Sequence, residues 1–367
     1  MWLTVRRTAL SGSPPKGDNL DLRVPSRFQA WPLLAIVLAV AVAAMPAAGS
    51  GSVTDPSASP SLVWSTWVWV ENAQGQQVQR YGLWIGSADG SRRRLLGEGR
   101  DPKISPDGRW IAYSDSRAER TYLMPSTGGS PWLVARDARP VRWSPTSRQL
   151  PIADQGRALH VFDLGTRRRV RIDSRATIFG VSISPSGDDI VWARKAGSGS
   201  VLDGDVDVFR ARLDGSRRQR LTRDGTSSFP VWGPHGIAFG RVRPGTDRHY
   251  PIYELWTMQP DGSGPRRVTR MSNLPVVWSA DGTRLLTSTY TTSDGVVSVV
   301  DMKTGTVRPV IRGQFVIPLS LSRNGRSVLA WVLSQVRKPE GDLVRVDRNG
   351  RRTTLVRNAG EFADWNL

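Results

Sequence analysis

One short stretch recurs along this chain six times and begins a seventh. Its clearest copy is Ile104-Ser105-Pro106-Asp107-Gly108-Arg109-Trp110-Ile111-Ala112-Tyr113: a large apolar residue, a four-residue turn, then a run of strand-forming residues. Related copies stand at Trp143-Ser144-Pro145, Ile183-Ser184-Pro185-Ser186-Gly187, Trp232-Gly233-Pro234-His235-Gly236, Trp278-Ser279-Ala280-Asp281-Gly282 and Leu321-Ser322-Arg323-Asn324-Gly325. The half copy is Ala363-Asp364-Trp365-Asn366-Leu367, at the C-terminal end. From Ser105 through Ser144, Ser184, Gly233, Ser279 and Ser322 to Asn366 the steps are 39, 40, 49, 46, 43 and 44 residues. A period of roughly 40 to 50 residues with turn chemistry at a fixed phase is the mark of a blade of a β-propeller.

The chemistry of the turn agrees. Ser hydrogen-bonds locally at its first position, Pro presets φ at the second, and Gly tolerates the exit, so Ser-Pro-Asp-Gly joins two strands as a tight hairpin. The copy Ser144-Pro145-Thr146-Ser147 lacks the Gly and is expected to be looser. The residue before the turn is large and apolar in all seven copies, which assigns it to the core. A second turn follows in each unit, at Asp89-Gly90, Thr127-Gly128-Gly129, Leu164-Gly165, Asp214-Gly215, Asp261-Gly262, Thr304-Gly305 and Asn349-Gly350. Asp-Gly and Asn-Gly are strong hairpin signals.

Each unit therefore reads as four strands, a to d, with the first turn between a and b and the second between c and d. Residues 62 to 99 supply strands b, c and d without a preceding a, and Glu361 to Leu367 supply a strand a with nothing after it. The expected fold is all-β: one propeller of seven four-stranded blades over residues 62–367, closed by pairing the N- and C-terminal strands, with six or eight blades as the alternative. Closure removes two sheet edges that would invite aggregation.

Upstream, residues 1–30 are polar and basic, and read as a disordered cytoplasmic segment. Residues 31–48, from Trp31 to Ala48, carry no charge, and their length is on the border between a signal-peptide core and a membrane span. Basic residues precede this run, so the positive-inside rule puts the start of the chain in the cytoplasm and the propeller outside. Residues 49–61 are a Gly/Ser/Pro-rich flexible linker. Cysteine is absent, which excludes disulfides, thiol catalysis, Cys-ligated zinc and a lipoprotein anchor. A Cys-free domain also loses nothing in an oxidising compartment.

The repeats resemble the WD40-like, TolB-type propeller family (PD40-type repeats). The resemblance rests on the apolar residue before Ser-Pro-Asp-Gly and on the basic endings Arg217-Arg218-Gln219-Arg220-Leu221-Thr222 and Arg266-Arg267-Val268-Thr269. It implies a propeller over residues 62–367 and is weak for function, since the family includes periplasmic adaptors and propellers fused to peptidases. TolB itself is six-bladed with an extra N-terminal domain, whereas this chain counts seven units after a short linker.

Little in the sequence carries chemistry. No G-x-S-x-G elbow occurs. The three histidines do not pair at metal-ligand spacing: His160 falls in a strand, His235 in a repeat turn and His249 in a polar loop. Asp203, Asp205 and Asp207 alternate in a way that can share a Ca²⁺, but without the ligand order of an EF-hand, so the loop reads as a balance for nearby arginines. Neither metal nor cofactor is expected.

Charge has more pattern. The formal net charge is +19, carried almost wholly by Arg, which suits an anionic partner and equally a GC-rich genome. One set of arginines follows the c-d turns: Arg92, Arg93 and Arg94, Arg167 to Arg169, Arg217 and Arg218, Arg266 and Arg267, Arg351 and Arg352. A second set ends strand d in every unit: Arg100, Arg136, Arg175, Arg223, Arg270, Arg312 and Arg357. Its members are the candidate ligand-binding residues. The alternative is that they pair with loop acids such as Asp101, Asp137 and Asp224 and dock neighbouring blades. The longer b-c loops, 195–207, 241–254 and 333–342, belong on the same face as this second set. The expected protein is a monomeric, exported, non-enzymatic binding or scaffold propeller for a cell-envelope protein or anionic polymer, with no nucleic-acid partner. The alternatives are a membrane-tethered sensor held by the uncleaved apolar run and an enzyme acting at the channel mouth.

Overall fold

The structure is a computed structural model that describes residues 61–71, 75–115, 120–154, 158–174, 176–196, 204–246, 251–290, 295–313, 315–322, 324–333, 341–360 and 363–365. The described residues form strands and turns only. The first blade takes β1 (Leu62–Glu71), β2 (Gln77–Gly86) and β3 (Arg94–Glu98). The second is β4 (Arg100–Ile104), β5 (Trp110–Ser114), β6 (Arg120–Pro125) and β7 (Trp132–Arg136). The third is β8 (Ala138–Pro140), β9 (Gln149–Asp154), β10 (Ala158–Asp163) and β11 (Arg168–Ser174). The fourth is β12 (Ala176–Ile183), β13 (Asp189–Ala196), β14 (Val206–Arg212) and β15 (Gln219–Arg220). The fifth is β16 (Ser227–Gly233), β17 (Gly236–Val242), β18 (Tyr253–Met258) and β19 (Arg266–Arg267). The sixth is β20 (Leu274–Trp278), β21 (Arg284–Tyr290), β22 (Gly295–Asp301) and β23 (Val307–Gly313). The seventh is β24 (Val316–Leu321), β25 (Ser327–Leu333), β26 (Gly341–Asp347) and β27 (Arg352–Ala359), and the chain ends in β28 (Ala363–Trp365).

These strands make seven four-stranded antiparallel sheets, and β28 completes the first of them in the order β28-β1-β2-β3. Leu62 faces Trp365, Val63 faces Asp364 and Trp64 faces Ala363. The seven-bladed count and the closure expected from the sequence are both present. The basic segment 1–30, the apolar run 31–48 and all of the linker 49–61 but its last residue lie outside the described residues, among which no helix is long and apolar enough to cross a membrane.

The a strands are the innermost and the d strands the outermost. Every residue of β16 and β20 is buried, whereas β15 and β19 are exposed throughout. Middle strands are covered on both faces by adjoining blades, which is why β5 reads Trp-Ile-Ala-Tyr-Ser without polar alternation. The apolar core is correspondingly split into slabs between neighbours. Val63, Leu83 and Ile85 of the first blade pack with Ile111, Tyr113 and Met124 of the second. At the seam, Leu62, Trp64 and Trp365 join the cluster that contains Trp331 and Leu343 of the seventh blade.

All seven large apolar residues before the a-b turns are buried, from 2% exposed at Trp143 to 8% at Trp232. In five copies the serine hydroxyl accepts the N–H five residues on, as Ser105 does from Trp110 at 2.9 Å and Ser279 from Arg284 at 2.9 Å. This is the physical reason for Ser at that position. The turn of the fifth blade has Gly233 there, and contracts to the two-residue hairpin Pro234-His235 with Gly233 opposite Gly236.

The expectation of a loose turn at Ser144 is corrected by the structure. Ser147 N–H donates to the Ser144 carbonyl at 2.9 Å, matching 2.8 Å from Gly108 to Ser105. Ser147 takes the left-handed conformation, φ 59°, that Gly108 occupies at 72° in the second blade. Glycine is required elsewhere: at Gly180, φ 86°, an added Cβ would lie 2.8 Å from the Phe229 Cα of the next blade.

Candidate functional site

Antiparallel succession places the a-b and c-d turns at one end of every sheet and the b-c and d-a connections at the other, so the propeller has two chemically distinct faces. The two arginine sets divide between them.

On the d-a face, Arg136, Arg223, Arg270, Arg312 and Arg357 are all exposed. None of their side chains has a hydrogen-bond or salt-bridge partner among the described residues. Arg100 differs: it is half-buried, its Nε lies 3.7 Å from the Asp101 carboxylate, and its guanidinium stacks 4.8 Å from the Tyr81 ring centre. Arg175 lies outside the described residues, as do 197–203, 247–250 and 334–340 of the longer b-c loops. Of the loop acids expected to neutralise this set, Asp101 does so for Arg100. Asp224 instead pairs with Arg241 of the fifth blade at 2.6 Å.

On the opposite face several arginines are structural. Arg93 donates to the Leu355 carbonyl at 3.0 Å, joining the first blade to the seventh, and Arg94 to the Ser126 carbonyl at 2.8 Å, joining it to the second. Arg210 reaches the Pro260 carbonyl of the fifth blade at 3.2 Å. Arg167 stacks on Trp132 of the second blade, 4.8 Å from its ring centre. Charge-assisted bonds to neighbouring carbonyls are stronger than neutral ones, and they fix one blade against the next.

Arginines grip four carboxylates, three of which, Asp173, Asp189 and Glu254, sequence reading did not single out. Asp173, 3% exposed, accepts from the Trp192 indole at 2.7 Å and Arg218 at 3.0 Å, with Arg194 at 3.1 Å. Asp189 pairs with Arg210 at 3.1 Å and Arg212 at 3.8 Å. Glu254 meets Arg243 at 3.1 Å and Arg267 at 3.2 Å. Burial works to raise the Glu254 carboxyl, but the bonds from Arg243 and Trp256 and the charge of Arg267 outweigh it and hold it below its ordinary range. Asp207, part of the alternating acids, is bonded by Arg220, by Thr222 at 2.8 Å and by the Gly225 N–H at 3.3 Å. Its lone pairs are committed to the fold; Asp203 lies outside the described residues.

Near the axis, Arg142 is 9% exposed, and its Nη1 has no hydrogen-bond partner among the described residues. Burial pushes its guanidinium down to about 9, against the opposing charge of Asp364. His160 is half-buried in β10, and His235 is exposed with Nε2 3.2 Å from the Asp281 carbonyl oxygen. His249 lies outside the described residues. Among the described residues no three His, Asp or Glu side chains gather closely enough to hold a metal ion.

With this geometry the chain can be set beside known proteins. In overall backbone it is similar to TolB from Acinetobacter baumannii, with a TM-score of 0.52, 18% identity, and coverage of 83% of this chain and 66% of that one. The chain shares the propeller fold of TolB-like proteins. It is also similar to a puromycin-hydrolyzing peptidase of Mycobacterium tuberculosis, with a TM-score of 0.57, 16% identity, and coverage of 86% and 56%. No family model matches the chain. Over 144 residues, 37% of its length, it is 31% identical to the uncharacterized protein Atu1656 of Agrobacterium fabrum. That match spans 46% of the relative, less than half its length. At these identities the solved structures establish the fold alone. One fold serves both a TolB and a peptidase, so function has to be argued from the faces of this propeller.

Proposed function

We propose that the chain is an exported binding propeller that engages an acidic, envelope-associated partner through its d-a face and catalyses nothing. The observation that carries this reading is the recurrence of exposed arginines at one place in the repeat on the d-a face. Arg136, Arg223, Arg270, Arg312 and Arg357 are exposed without side-chain partners among the described residues, at equivalent places that the sevenfold arrangement gathers on one side. On the other face Arg93, Arg94 and Arg210 are drawn into bonds that tie blades together, which leaves that face a less regular set of free arginines among the described residues. Single exposed ion pairs are worth about 0 to 1 kcal/mol, so a surface of this kind selects partners that carry many negative charges. At roughly 0.15 M salt the screening length of about 8 Å leaves only close contacts effective. Export rests on the uncharged run 31–48 behind a basic segment.

The test uses the full chain in a neutral detergent and poly-L-glutamate as the probe. Binding should weaken steeply as salt rises and fall when Arg223, Arg270 and Arg312 are replaced together by Ala. Replacing Arg168, Arg217 and Arg266, exposed on the other face, should leave it nearly intact. Equal loss from both triple variants removes the assignment of the face, and turnover of a peptide or glycan by the purified protein removes the non-catalytic reading. A reporter fused after Leu367 that is active only in the cytoplasm removes export.

A further inference from the structure

Between the sixth and seventh blades, on the face of the a-b and c-d turns, lies a cleft of about 530 Å³. Its walls include Arg284, Arg308, Arg326, Arg348, Asp301 and Thr304. Four guanidinium groups against one carboxylate leave a net charge of +3 (4 − 1) in one concavity. All four arginines are exposed.

Two of them are preset by the fold. Arg284 Nη1 donates to the Gly325 carbonyl at 3.2 Å and Arg308 Nη1 to the Arg348 carbonyl at 3.1 Å, so each crosses from the sixth blade to the seventh. A guanidinium has five N–H donors, and one such bond leaves most of them available. The side chains of Arg326 and Arg348 have no partner among the described residues.

The fourth blade supplies an internal control. There Asp189 faces Arg212 across the strands, as Arg284 faces Asp301 in the sixth. Asp189 forms salt bridges with Arg210 and Arg212. Asp301 forms none among the described residues; its Oδ1 accepts the N–H groups of Lys303 at 3.0 Å and Thr304 at 2.9 Å within its own turn. At the same place in the repeat the carboxylate of the fourth blade forms salt bridges, whereas that of the sixth bonds its own turn and Arg284 and Arg308 reach across to carbonyls of the seventh.

We propose that this cleft binds a compact polyanion bearing two or more phosphoryl or carboxylate groups. The planar fork of arginine matches such groups bidentately. A volume of about 530 Å³ falls in the range of roughly 300 to 1,000 Å³ typical of small-ligand sites. Because exposed ion pairs are individually weak, a ligand with one charged group gains little here, while one that engages three or four arginines together binds more tightly. The site is separate from the d-a face described above, and its test is independent of that reading.

The test is calorimetric titration of the full chain in neutral detergent at low salt with tripolyphosphate, citrate and inorganic phosphate. Saturable one-to-one binding of tripolyphosphate marks the site as phosphoryl-selective, and of citrate as carboxylate-selective; either supports the proposal. Inorganic phosphate should bind about tenfold or more weakly by comparison. The double variant Arg326→Ala/Arg348→Ala should lower affinity by at least about tenfold, with an unchanged unfolding midpoint, since neither side chain bonds elsewhere. The triple Arg223→Ala/Arg270→Ala/Arg312→Ala variant should leave it unchanged. The proposal is overturned by absence of saturation with both multivalent probes, by inorganic phosphate binding as tightly, or by equal losses in the two variants, which would mean diffuse surface charge.

Discussion

The indole N–H of Trp278 donates to the backbone carbonyl of Val231 in the preceding blade at 3.0 Å, and Trp143 does the same to Lys103 at 3.1 Å. Val231 and Lys103 each stand one residue before the large apolar residue of their own blade. That same position also joins blades through its side chain: Ser182 accepts from the Trp232 N–H at 3.0 Å, and Asp364 from the Ile104 N–H at 3.1 Å. The repeated apolar residue is therefore a joint as well as core. Replacing Trp278 by Phe loses packing and the indole hydrogen bond to the buried Val231 carbonyl. The Nε1 of Trp365 is buried without a partner among the described residues, so Trp365→Phe loses packing alone. Chemical unfolding should show Trp278→Phe to be more destabilising than Trp365→Phe by about 1 to 2 kcal/mol.

Ser147 separates strain from bonding in one residue. Its φ of 59° disfavours any residue but glycine, yet its hydroxyl accepts the Asp107 N–H of the second blade at 2.9 Å. Ser147→Ala keeps the strain and loses the bond, and should cost about 1 kcal/mol. Ser147→Gly loses the same bond but relieves about 1 kcal/mol of left-handed strain, so its unfolding midpoint should stay close to that of the parent. Equal destabilisation by both would show that the backbone is not strained there.

The turn motifs made the architecture legible because they are local: Ser, Pro and Gly act within five residues, and their phase counts blades. The half copy around Trp365 gave the closure for the same reason. The arginines were not legible, because their partners lie far along the chain. Arg93 bonds a carbonyl 262 residues away and Arg210 one 50 residues away. Nothing near Arg93 in sequence distinguishes it from the exposed Arg92 or Arg223. Asp173 was hidden differently, as one acid in the basic strand β11; its buried place shows only once the burial order of β11, outer residues exposed and Ile172-Asp173 buried, is known.

His160 gives the fold a pH dependence in a window of its own. Burial, with Arg169 and Arg171 nearby, lowers its pKa below the ordinary 6.5, opposed by Asp154. Between the folded value and 6.5 the unfolded chain binds a proton that the native one does not, so this contribution is present above 6.5 and is lost as pH falls through the folded value. Urea midpoints should begin to drop as pH falls through the ordinary 6.5, and drop less in His160→Gln. Carboxyls such as Asp281 and Asp301, held below their ordinary 3.8 chiefly by hydrogen bonds from neighbouring Ser and Thr residues, lose theirs only at lower pH. An identical drop in the variant would assign the effect to other groups.

Asp173 is the joint between the third and fourth blades. Its side chain is 2% exposed, and it is held by Arg194, which is 21% exposed, and by Arg218, which is 37% exposed. Replacement by Asn keeps the shape but leaves two guanidinium groups facing a neutral amide, one of whose ends is a donor. A fully buried pair broken in this way costs about 3 to 5 kcal/mol; the partial exposure of both arginines lets water recover part of that, so Asp173→Asn should cost about 2 to 3 kcal/mol. Arg218→Met should cost less, about 1 kcal/mol, because Arg194 and the Trp192 indole still satisfy the carboxylate. If Arg218→Met costs as much as Asp173→Asn in chemical unfolding, the order of importance argued from burial fails, and if it costs more, Arg218 is the centre of the joint.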